Sequence, residues 1–288
     1  SSYSGTITAS GTAITSKFFD FAPNLTLTNG ANLSATNLTL NTNSKLNLSG
    51  KSTAQIDNLI IKELSNLDGK ITLDNSKFEV KESFTFYNST FDLSKLSSTN
   101  ANLTLPTEYN LYAFNGSKIT TANFTNSNAN AEFVLDNKST FNATSAVSFQ
   151  SAKISVQNEA EFTADSLTLG EKSTIDLTNS AKFTLKNGLQ TQDLNLNLSN
   201  SSTLKANSLT SKGASTINLN DKATLTLENA LSSKDLTLTL ENESTFTAKT
   251  LTASGVVKLQ GDKNATLTLE TLNLDGVSTA NLSGAKST

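Results

Sequence analysis

The chain of 288 residues has no Cys, His, Arg, Met or Trp, and it has only 2 Pro. Without Cys and His it cannot form the common structural zinc sites, a Cys or His catalytic group, or the usual haem ligation. Charged residues make up 16% of the chain and the net charge is -3. Because the basic residues are scattered lysines, nothing in the composition predicts a nucleic-acid partner.

The sequence also lacks a segment that would predict a membrane span or a retained export signal. Its apolar runs stay well below the roughly 18 residues that a membrane-spanning helix needs. Residues 1–5 show no charged region followed by an apolar run, so we expect that any export signal has been removed. We also expect an internal fragment of a longer protein, because the chain stops at Thr288 a few residues into a repeat.

Apolar side chains recur at steps of 21 residues, a length typical of solenoid repeats. The first column consists of Phe91, Tyr112, Phe133, Ile154, Ile175, Leu196, Ile217, Leu238 and Leu259. A second column begins at Leu93, and a third runs from Phe141 to Leu267. Two residues before each member of the third column stands a Ser or Ala, from Ser139 to Ala265. Chance does not keep four columns in step over this length.

Within each repeat, apolar and polar residues alternate as they do in β-strands. Segments such as Ile175-Asp176-Leu177 are separated by Asn, Ser, Asp and Gly, which favour turns. Stacking of these units predicts an all-β chain that forms a parallel β-solenoid of about 21 residues per turn and roughly twelve turns. We expect turns to start at 25, 46, 71 and 91 and then every 21 residues. Residues 1–24 would be an irregular N-terminal turn or cap, and residues 25–288 the solenoid.

Asparagines form a column of their own, four residues before the third apolar column. Its members are Asn137, Asn158, Asn179, Asn200 and Asn242, with Asp221 in the same series. Stacked amides can hydrogen-bond along a solenoid, and Asn tolerates the left-handed backbone of tight turns. We therefore predict a structural Asn ladder at this position rather than an active site.

The remaining polar residues indicate no catalytic chemistry. A solenoid that cleaves glycans needs two neighbouring carboxyl groups, whereas the acidic residues here are dispersed. The serines have no His partner, and phosphate- and dinucleotide-binding motifs are missing from the sequence. We expect no catalytic, cofactor-binding or metal-binding residue. Charges on neighbouring repeats instead predict the ion pairs Lys138 with Glu159, Glu161 with Lys182, and Lys222 with Glu243.

Glycosylation sequons of the Asn-x-Ser/Thr type are frequent, as the abundance of Asn, Ser and Thr makes inevitable. One of them, Asp262-Lys263-Asn264-Ala265-Thr266, also fits the longer acidic sequon of some Gram-negative bacteria. By sequence alone this match is a hint of modification.

Repeats such as residues 175–185, together with the absence of Cys and the abundance of Asn, Ser, Thr and Leu, resemble the passenger domains of bacterial autotransporters. The Asn-rich, vacuolating-cytotoxin-like and adhesin-like passengers are the most similar group. The resemblance covers roughly residues 25–288 and transfers no site residue. It implies a right-handed parallel β-helix that is exported through an outer-membrane barrel and displayed on a Gram-negative cell or secreted.

From this resemblance we expect a non-enzymatic passenger that acts in adhesion, host-cell interaction or self-association. Its partner would be a host cell-surface protein, a glycan or a second copy, with no cofactor, no nucleic acid and no direct membrane span. One alternative is a subunit of a vacuolating-cytotoxin-like toxin acting on host membranes. The Phe18–Phe21 cluster is the only feature of the sequence that favours this alternative. The other is a polysaccharide-degrading β-helix enzyme, which would stack several acidic residues on one face.

Overall fold

The computed structural model describes residues 3–42, 44–63, 71–74, 77–92, 103–104, 110–262, 264–282 and 286–287. All regular elements of these residues are β-strands, and neighbouring strands pair in parallel. The chain is an all-β, parallel β-solenoid with about 21 residues per turn and about 11 turns. The predicted fold class and turn length are confirmed, while the right-handed sense stays a prediction. Two compact units, Ser1–Thr121 and Ala122–Thr288, make up the chain.

The strands in the described part of the first unit follow the chain from residue 3 to residue 121. They are β1 Tyr3–Ser10, β2 Ala13–Thr28, β3 Asn32–Leu40, β4 Lys45–Ser49, β5 Thr53–Lys62, β6 Ile71–Asp74, β7 Lys77–Tyr87, β8 Thr90–Asp92, β9 Leu103–Thr104, β10 Asn110–Phe114 and β11 Lys118–Thr121. Residues 1–24, where we expected an irregular turn or cap, include β1 and most of β2. Strand β1 pairs with the second half of β2 and places Ile7 beside Leu25.

The first predicted turn starts agree with the strand register of this unit. Leu25 lies beside Leu46, and Leu46 lies beside Ile71. Leu25, Leu27, Leu46 and Leu48 are buried, whereas the residues between them are half-buried. This alternation places one face of each strand in the apolar core.

Later in the first unit the turns are longer than 21 residues, so paired residues no longer lie 21 positions apart. Asn110 pairs with Ser83, which lies 27 residues before it, and Lys118 pairs with Thr90, which lies 28 residues before it. These longer turns explain why the solenoid has about 11 turns rather than the predicted twelve. Extra residues between strands leave strand pairing intact, so the insertion is hard to see in an apolar pattern.

The sequence prediction therefore assigned two residues, Phe91 and Tyr112, to the wrong column. Phe91 lies beside Ile119 in a separate ladder, not in line with Ile71. Tyr112 lies beside Thr85 and is only half-buried, whereas its neighbours Leu111 and Ala113 are buried. A shift of one residue in a strand exchanges its inward and outward faces, which is why a small error in turn length misplaces Tyr112. Leu93 lies outside the described residues.

The second unit has shorter and more regular turns. Its strands within the described residues are β12 Phe124–Asn126, β13 Ala131–Leu135, β14 Thr140–Ala143, β15 Ala146–Phe149, β16 Ala152–Gln157, β17 Glu161–Ala164, β18 Ser166–Leu169, β19 Ser173–Thr178, β20 Lys182–Leu185, β21 Gly188–Thr191, β22 Leu194–Leu198, β23 Thr203–Ser211, β24 Ala214–Leu219, β25 Thr224–Ser233, β26 Asp235–Leu240, β27 Thr245–Ala253, β28 Val257–Gly261, β29 Thr266–Leu274, β30 Ser278–Asn281 and β31 Lys286–Ser287.

These strands form three parallel ladders along the second unit. One ladder runs from β13 through β16, β19, β22, β24, β26 and β28 to β30. The second runs from β14 through β17 and β20 to β23, and the third from β12 through β15, β18 and β21 to the same β23. From β23 onward, single bent strands serve both ladders. Each turn therefore has three sides around one core.

The predicted apolar columns hold throughout the second unit. Phe133 lies beside Ile154, and the series continues in register to Leu259. The third column runs in register from Phe141 to Leu267. The Ser and Ala column beside it, from Ser139 to Ala265, is fully buried. Small side chains are needed there because the tight turn lies against the core.

One corner of the second unit carries the same aspartate and glycine pair on two levels that lie two turns apart. Asp193 Oδ1 accepts a hydrogen bond from the Ala214 amide at 2.7 Å, and Asp235 Oδ1 accepts one from the Val256 amide at 2.7 Å. A Cβ atom at Gly213 or Gly255 would collide with the corresponding carboxylate. The carboxylate can therefore accept this hydrogen bond from the next turn only if glycine precedes the donating amide.

Phenylalanines fill the core at the start of the second unit. Phe162 lies between Phe141, at a ring-centroid distance of 5.2 Å, and Phe183, at 4.2 Å. Phe133 and Phe124 approach the column edge-on. Stacked and edge-on pairs contribute beyond the burial of their area, so this column is a strong anchor for the unit.

We predict that Phe162→Ala lowers the free energy of unfolding by about 3–5 kcal/mol, because it opens a cavity in a closed aromatic column. The matched control is Thr163→Ala on the exposed face of the same strand, which should change it by less than about 0.5 kcal/mol. Chemical denaturation followed by circular dichroism measures both variants. Equal losses of unfolding free energy in the two variants would contradict the assignment of Phe162 to the core and Thr163 to the surface.

Candidate functional site

The most regular polar surface of the second unit is a stack of six tight turns, residues 136–139, 157–160, 178–181, 199–202, 220–223 and 241–244, which we call the turn edge. In each turn both central residues have positive φ, for example 50° at Asn137 and 62° at Lys138. In five of the six turns the amide of the fourth residue donates to the carbonyl of the first, as from Ala223 to Asn220 at 3.2 Å. These features define type I′ turns.

The predicted Asn ladder occupies the first central position of these turns. Asn137, Asn158, Asn179, Asn200 and Asn242 all have left-handed backbones, with φ between 50° and 55°. Asn is among the few residues that adopt this conformation readily, since its side chain can hydrogen-bond locally. The left-handed backbone thus favours asparagine at this position.

The side chains of three of these asparagines form a directional chain of hydrogen bonds. Asn200 Nδ2 donates to Asn179 Oδ1 at 2.9 Å, and Asn179 Nδ2 donates to Asn158 Oδ1 at 2.8 Å. Asn158 Nδ2 then donates to Asp136 Oδ1 at 2.7 Å, so the chain passes to Asp136 rather than to Asn137. Asn242 Nδ2 likewise donates to Asn220 Oδ1 at 2.7 Å. Asp221 stands at the asparagine position of its turn, and because a carboxylate has no proton to donate, the chain of amides does not continue from Asp221 to Asn200.

The sequence analysis did not predict that the second central residue of each turn also has a left-handed backbone. There the backbone amide donates to the carbonyl of the first central residue on the next turn, as from Ser180 to Asn200 and from Ser201 to Asp221, both at 2.9 Å. The column holds Lys, Glu and Ser at positive φ, so no residue type marks it in the sequence. Only the 21-residue register identifies it.

The sequence analysis also missed two further series of amide hydrogen bonds that end on an aspartate. Asn218 Nδ2 donates to Asn197 Oδ1 at 2.9 Å, and Asn197 Nδ2 donates to Asp176 Oδ1 at 2.8 Å on the outer face of the first ladder. At another corner Asn187 Nδ2 donates to Asp165 Oδ2 at 2.8 Å. Each chain ends on an acceptor that has no proton to give, which fixes the direction of all its donors. The 21- to 22-residue spacing of Asp and Asn was the available signal.

Ion pairs join neighbouring turns at and beside the turn edge. Lys138 Nζ lies 3.7 Å from Glu159 Oε2, and Lys222 Nζ lies 3.8 Å from Glu243 Oε2. Lys182 Nζ donates to Glu161 Oε1 at 2.7 Å, and this hydrogen bond raises the pKa of Lys182. These side chains are largely exposed, so each pair stabilises the fold by no more than about 1 kcal/mol.

A fourth pair lies away from the turn edge, between the second and third ladders. Lys205 Nζ lies 2.9 Å from Glu228 Oε1. The hydrogen bond from Lys205, with its charge, lowers the pKa of Glu228 below the usual 4.5.

A shallow groove of about 830 Å³ follows the turn edge across five turns. Its lining consists of both central residues of each turn, from Asn158 and Glu159 to Asn242 and Glu243. Charges lie towards both ends, whereas the middle carries the small side chains of Ser180 and Ser201. The groove offers amide, hydroxyl and carboxylate groups at the roughly 4.8 Å spacing of paired strands. Such a surface can hydrogen-bond a long ligand.

The described residues were also compared with the requirements of a metal site and of a membrane-spanning helix. Within them no three Asp or Glu side chains come close enough together to hold a metal ion. None of these residues forms a helix long and apolar enough to cross a membrane. No protein family, curated protein or solved structure matches the chain.

We predict that Asn179→Ala lowers the free energy of unfolding by about 1–3 kcal/mol, because it strains a left-handed residue and removes a ladder amide. Asn179→Gly removes the same amide but tolerates positive φ, so it should cost about 1 kcal/mol or less. Denaturant titration of the two variants separates the backbone contribution from the side-chain contribution. A glycine variant as unstable as the alanine variant would contradict the role of φ.

We also predict that Lys205→Gln raises the pKa of Glu228 back towards 4.5. Because the folded-state pKa of Glu228 is lowered, its small stabilising contribution is present above pH 4.5 and is lost as the pH falls through the lowered value. Carboxyl carbon NMR titration of Glu228 measures the shift. The control is Lys234→Gln, a lysine that does not cause the shift, and an unchanged titration in Lys205→Gln would refute the pairing.

Proposed function

We propose that this chain is a non-enzymatic passenger of a Gram-negative bacterium, displayed on the cell surface or secreted, that acts by adhesion or host-cell interaction. The turn edge is the contact face in this proposal. The observation that carries it is the groove of five successive turns, which presents an asparagine amide at four of its five levels and other polar groups beside them. A host glycan or cell-surface protein with repeated polar groups could hydrogen-bond to several of these turns at once.

The turn edge is suited to binding rather than to acid–base catalysis. Glu159 and Glu243 are each paired with a lysine of a neighbouring turn. The amides of Asn158, Asn179 and Asn200 are already hydrogen-bonded along the ladder, which holds them rigidly. A rigid surface loses little side-chain entropy when a ligand binds.

Repetition also explains how a surface of weak contacts can bind firmly. Each turn contributes only a few exposed hydrogen bonds, but a ligand that contacts several turns gains from all of them at once. Charged residues near the ends of the groove and serines in its middle favour a polar ligand over an apolar one.

Export is the second part of the proposal, and three features support it. The parallel β-solenoid is compatible with the β-helix of an autotransporter passenger. The chain has no Cys, so no disulfide can form before secretion is complete. The resemblance of its Asn-rich repeats to those passengers is the third feature.

We predict saturable binding of the purified chain to host cells and a loss of about tenfold, or about 1.4 kcal/mol, in the double variant Ser180→Lys and Ser201→Lys. The longer side chains would fill the middle of the groove. The fold tolerates Lys in this column, since Lys138 and Lys222 already occupy it. Labelled protein on cell monolayers, with unlabelled protein as competitor, gives the affinity.

The matched control is the double variant Thr226→Lys and Thr247→Lys, which adds the same charges to the outer face of β25 and β27. It should bind like the unmodified chain. Equal losses in both variants would assign the effect to charge rather than to the groove. Absence of saturable binding would refute adhesion, and release of reducing ends from a glycan panel would refute the non-enzymatic assignment.

A further inference from the structure

The turn edge and the turn that follows it, residues 262–265, carry glycosylation sequons in two different registers. In the first, Asn is the first central residue of the turn, as in Asn200-Ser201-Ser202 and Asn242-Glu243-Ser244. The hydroxyl residue of the sequon then falls in the buried small-residue column, and Ser202 and Ser244 are both 0% exposed. An enzyme that must contact this hydroxyl cannot reach it in the folded chain.

The asparagines of this first register are also held by hydrogen bonds. Asn200 Nδ2, the atom that would accept a sugar, donates to Asn179 Oδ1 at 2.9 Å. The hydroxyl of Ser202 donates to the Leu177 carbonyl at 3.0 Å. Both groups that glycan transfer requires are therefore engaged within the fold.

The first register also excludes the acidic residue of the longer sequon. Two residues before Asn200 and Asn242 stand Leu198 and Leu240, which are each 1% exposed in the core. A carboxylate there would be buried without a partner, at a prohibitive cost. An acidic sequon is compatible with the turn edge only if Asn moves to the second central position.

Asn264 occupies that second position, in a turn closed by a hydrogen bond from the Ala265 amide to the Asp262 carbonyl at 2.8 Å. It has a φ of 67° and is exposed. Thr266 follows at the start of β29, on the outward side of the strand, and is half-buried rather than buried. Asp262, the acidic residue of the sequon, is the first residue of the turn. It is half-buried, unlike the core residues Leu198 and Leu240, and its Oδ1 atom is buried without a hydrogen-bond partner. Among the described residues, Asn264 has no side-chain hydrogen-bond partner.

We propose that Asn264 is an acceptor site for an N-linked glycan supplied as a polyprenyl-diphosphate-linked oligosaccharide. In the transfer, Asn264 Nδ2 forms a bond to the anomeric carbon of the first sugar and loses a proton to the solvent. The carbon–oxygen bond to the diphosphate breaks, and the polyprenyl diphosphate leaves. The inference rests on the proposed export, because the chain must reach the compartment in which such transfer occurs. The attached glycan would extend into solvent from the turn that follows the turn edge.

The test uses the purified, folded 288-residue chain as acceptor for a bacterial oligosaccharyltransferase of acidic-sequon specificity and its lipid-linked oligosaccharide in vitro. Intact mass and glycopeptide mapping should show a single glycan at Asn264. Thr266→Val, which removes the hydroxyl but keeps the shape of the side chain, should abolish it, as should Asn264→Gln. Circular dichroism verifies that both variants are folded.

A gain-of-site variant tests the register itself. Glu243→Asn places Glu241, the new asparagine and Thr245 in the same turn positions as Asp262, Asn264 and Thr266. It should acquire a second glycan at position 243, while Asn200 and Asn242 stay unmodified. An unmodified Asn264, or glycans at Asn200 as often as at Asn264, would overturn the proposal. Because the reaction is run in vitro on protein without any glycan, its failure is independent of the cell-binding experiment.

Discussion

Backbone hydrogen bonding between successive turns is the constraint on which this structure depends. Parallel pairing requires each strand to meet its counterpart in register, so a column of equivalent positions experiences one environment from turn to turn. Inside, the columns from Phe133 to Leu259 and from Phe141 to Leu267 select large apolar residues. At the tight corner the same constraint selects Ser or Ala. Composition thus follows from register, which is why a few residue types dominate the chain.

The same register organises the polar surface. Amides one turn apart are close enough to donate to one another, and in three places the chain of donors ends on an aspartate, Asp136, Asp176 or Asp165. Where Asp221 interrupts the series, Asn242 turns to Asn220 instead. A surface built in this way is rigid, polar and repetitive. These properties favour extended contacts with a long or multivalent partner over chemistry in a single pocket.

Register also determines which side chains are accessible, and residue type alone does not. Asn200 and Asn264 belong to sequons of the same kind, yet Ser202 is buried in the core and Thr266 lies on the outer side of its strand. A difference of one position in a type I′ turn separates a residue that serves the fold from one that is available to other molecules. Surface function in a solenoid therefore has to be assigned from position within the turn.

Much of the fold could be predicted from the sequence, because a 21-residue period and two-residue alternation together imply stacked parallel strands. The columns of the second unit and the placement of Asn at tight turns also followed from pattern and from the conformational freedom of Asn. Tertiary structure alone decided the longer turns before Lys118, since extra residues between strands leave the apolar pattern nearly unchanged. This is why Phe91 and Tyr112 were misplaced. It also decided the partners of each amide and the second left-handed residue, because hydrogen bonds between turns depend on three-dimensional proximity that spacing along the chain does not encode.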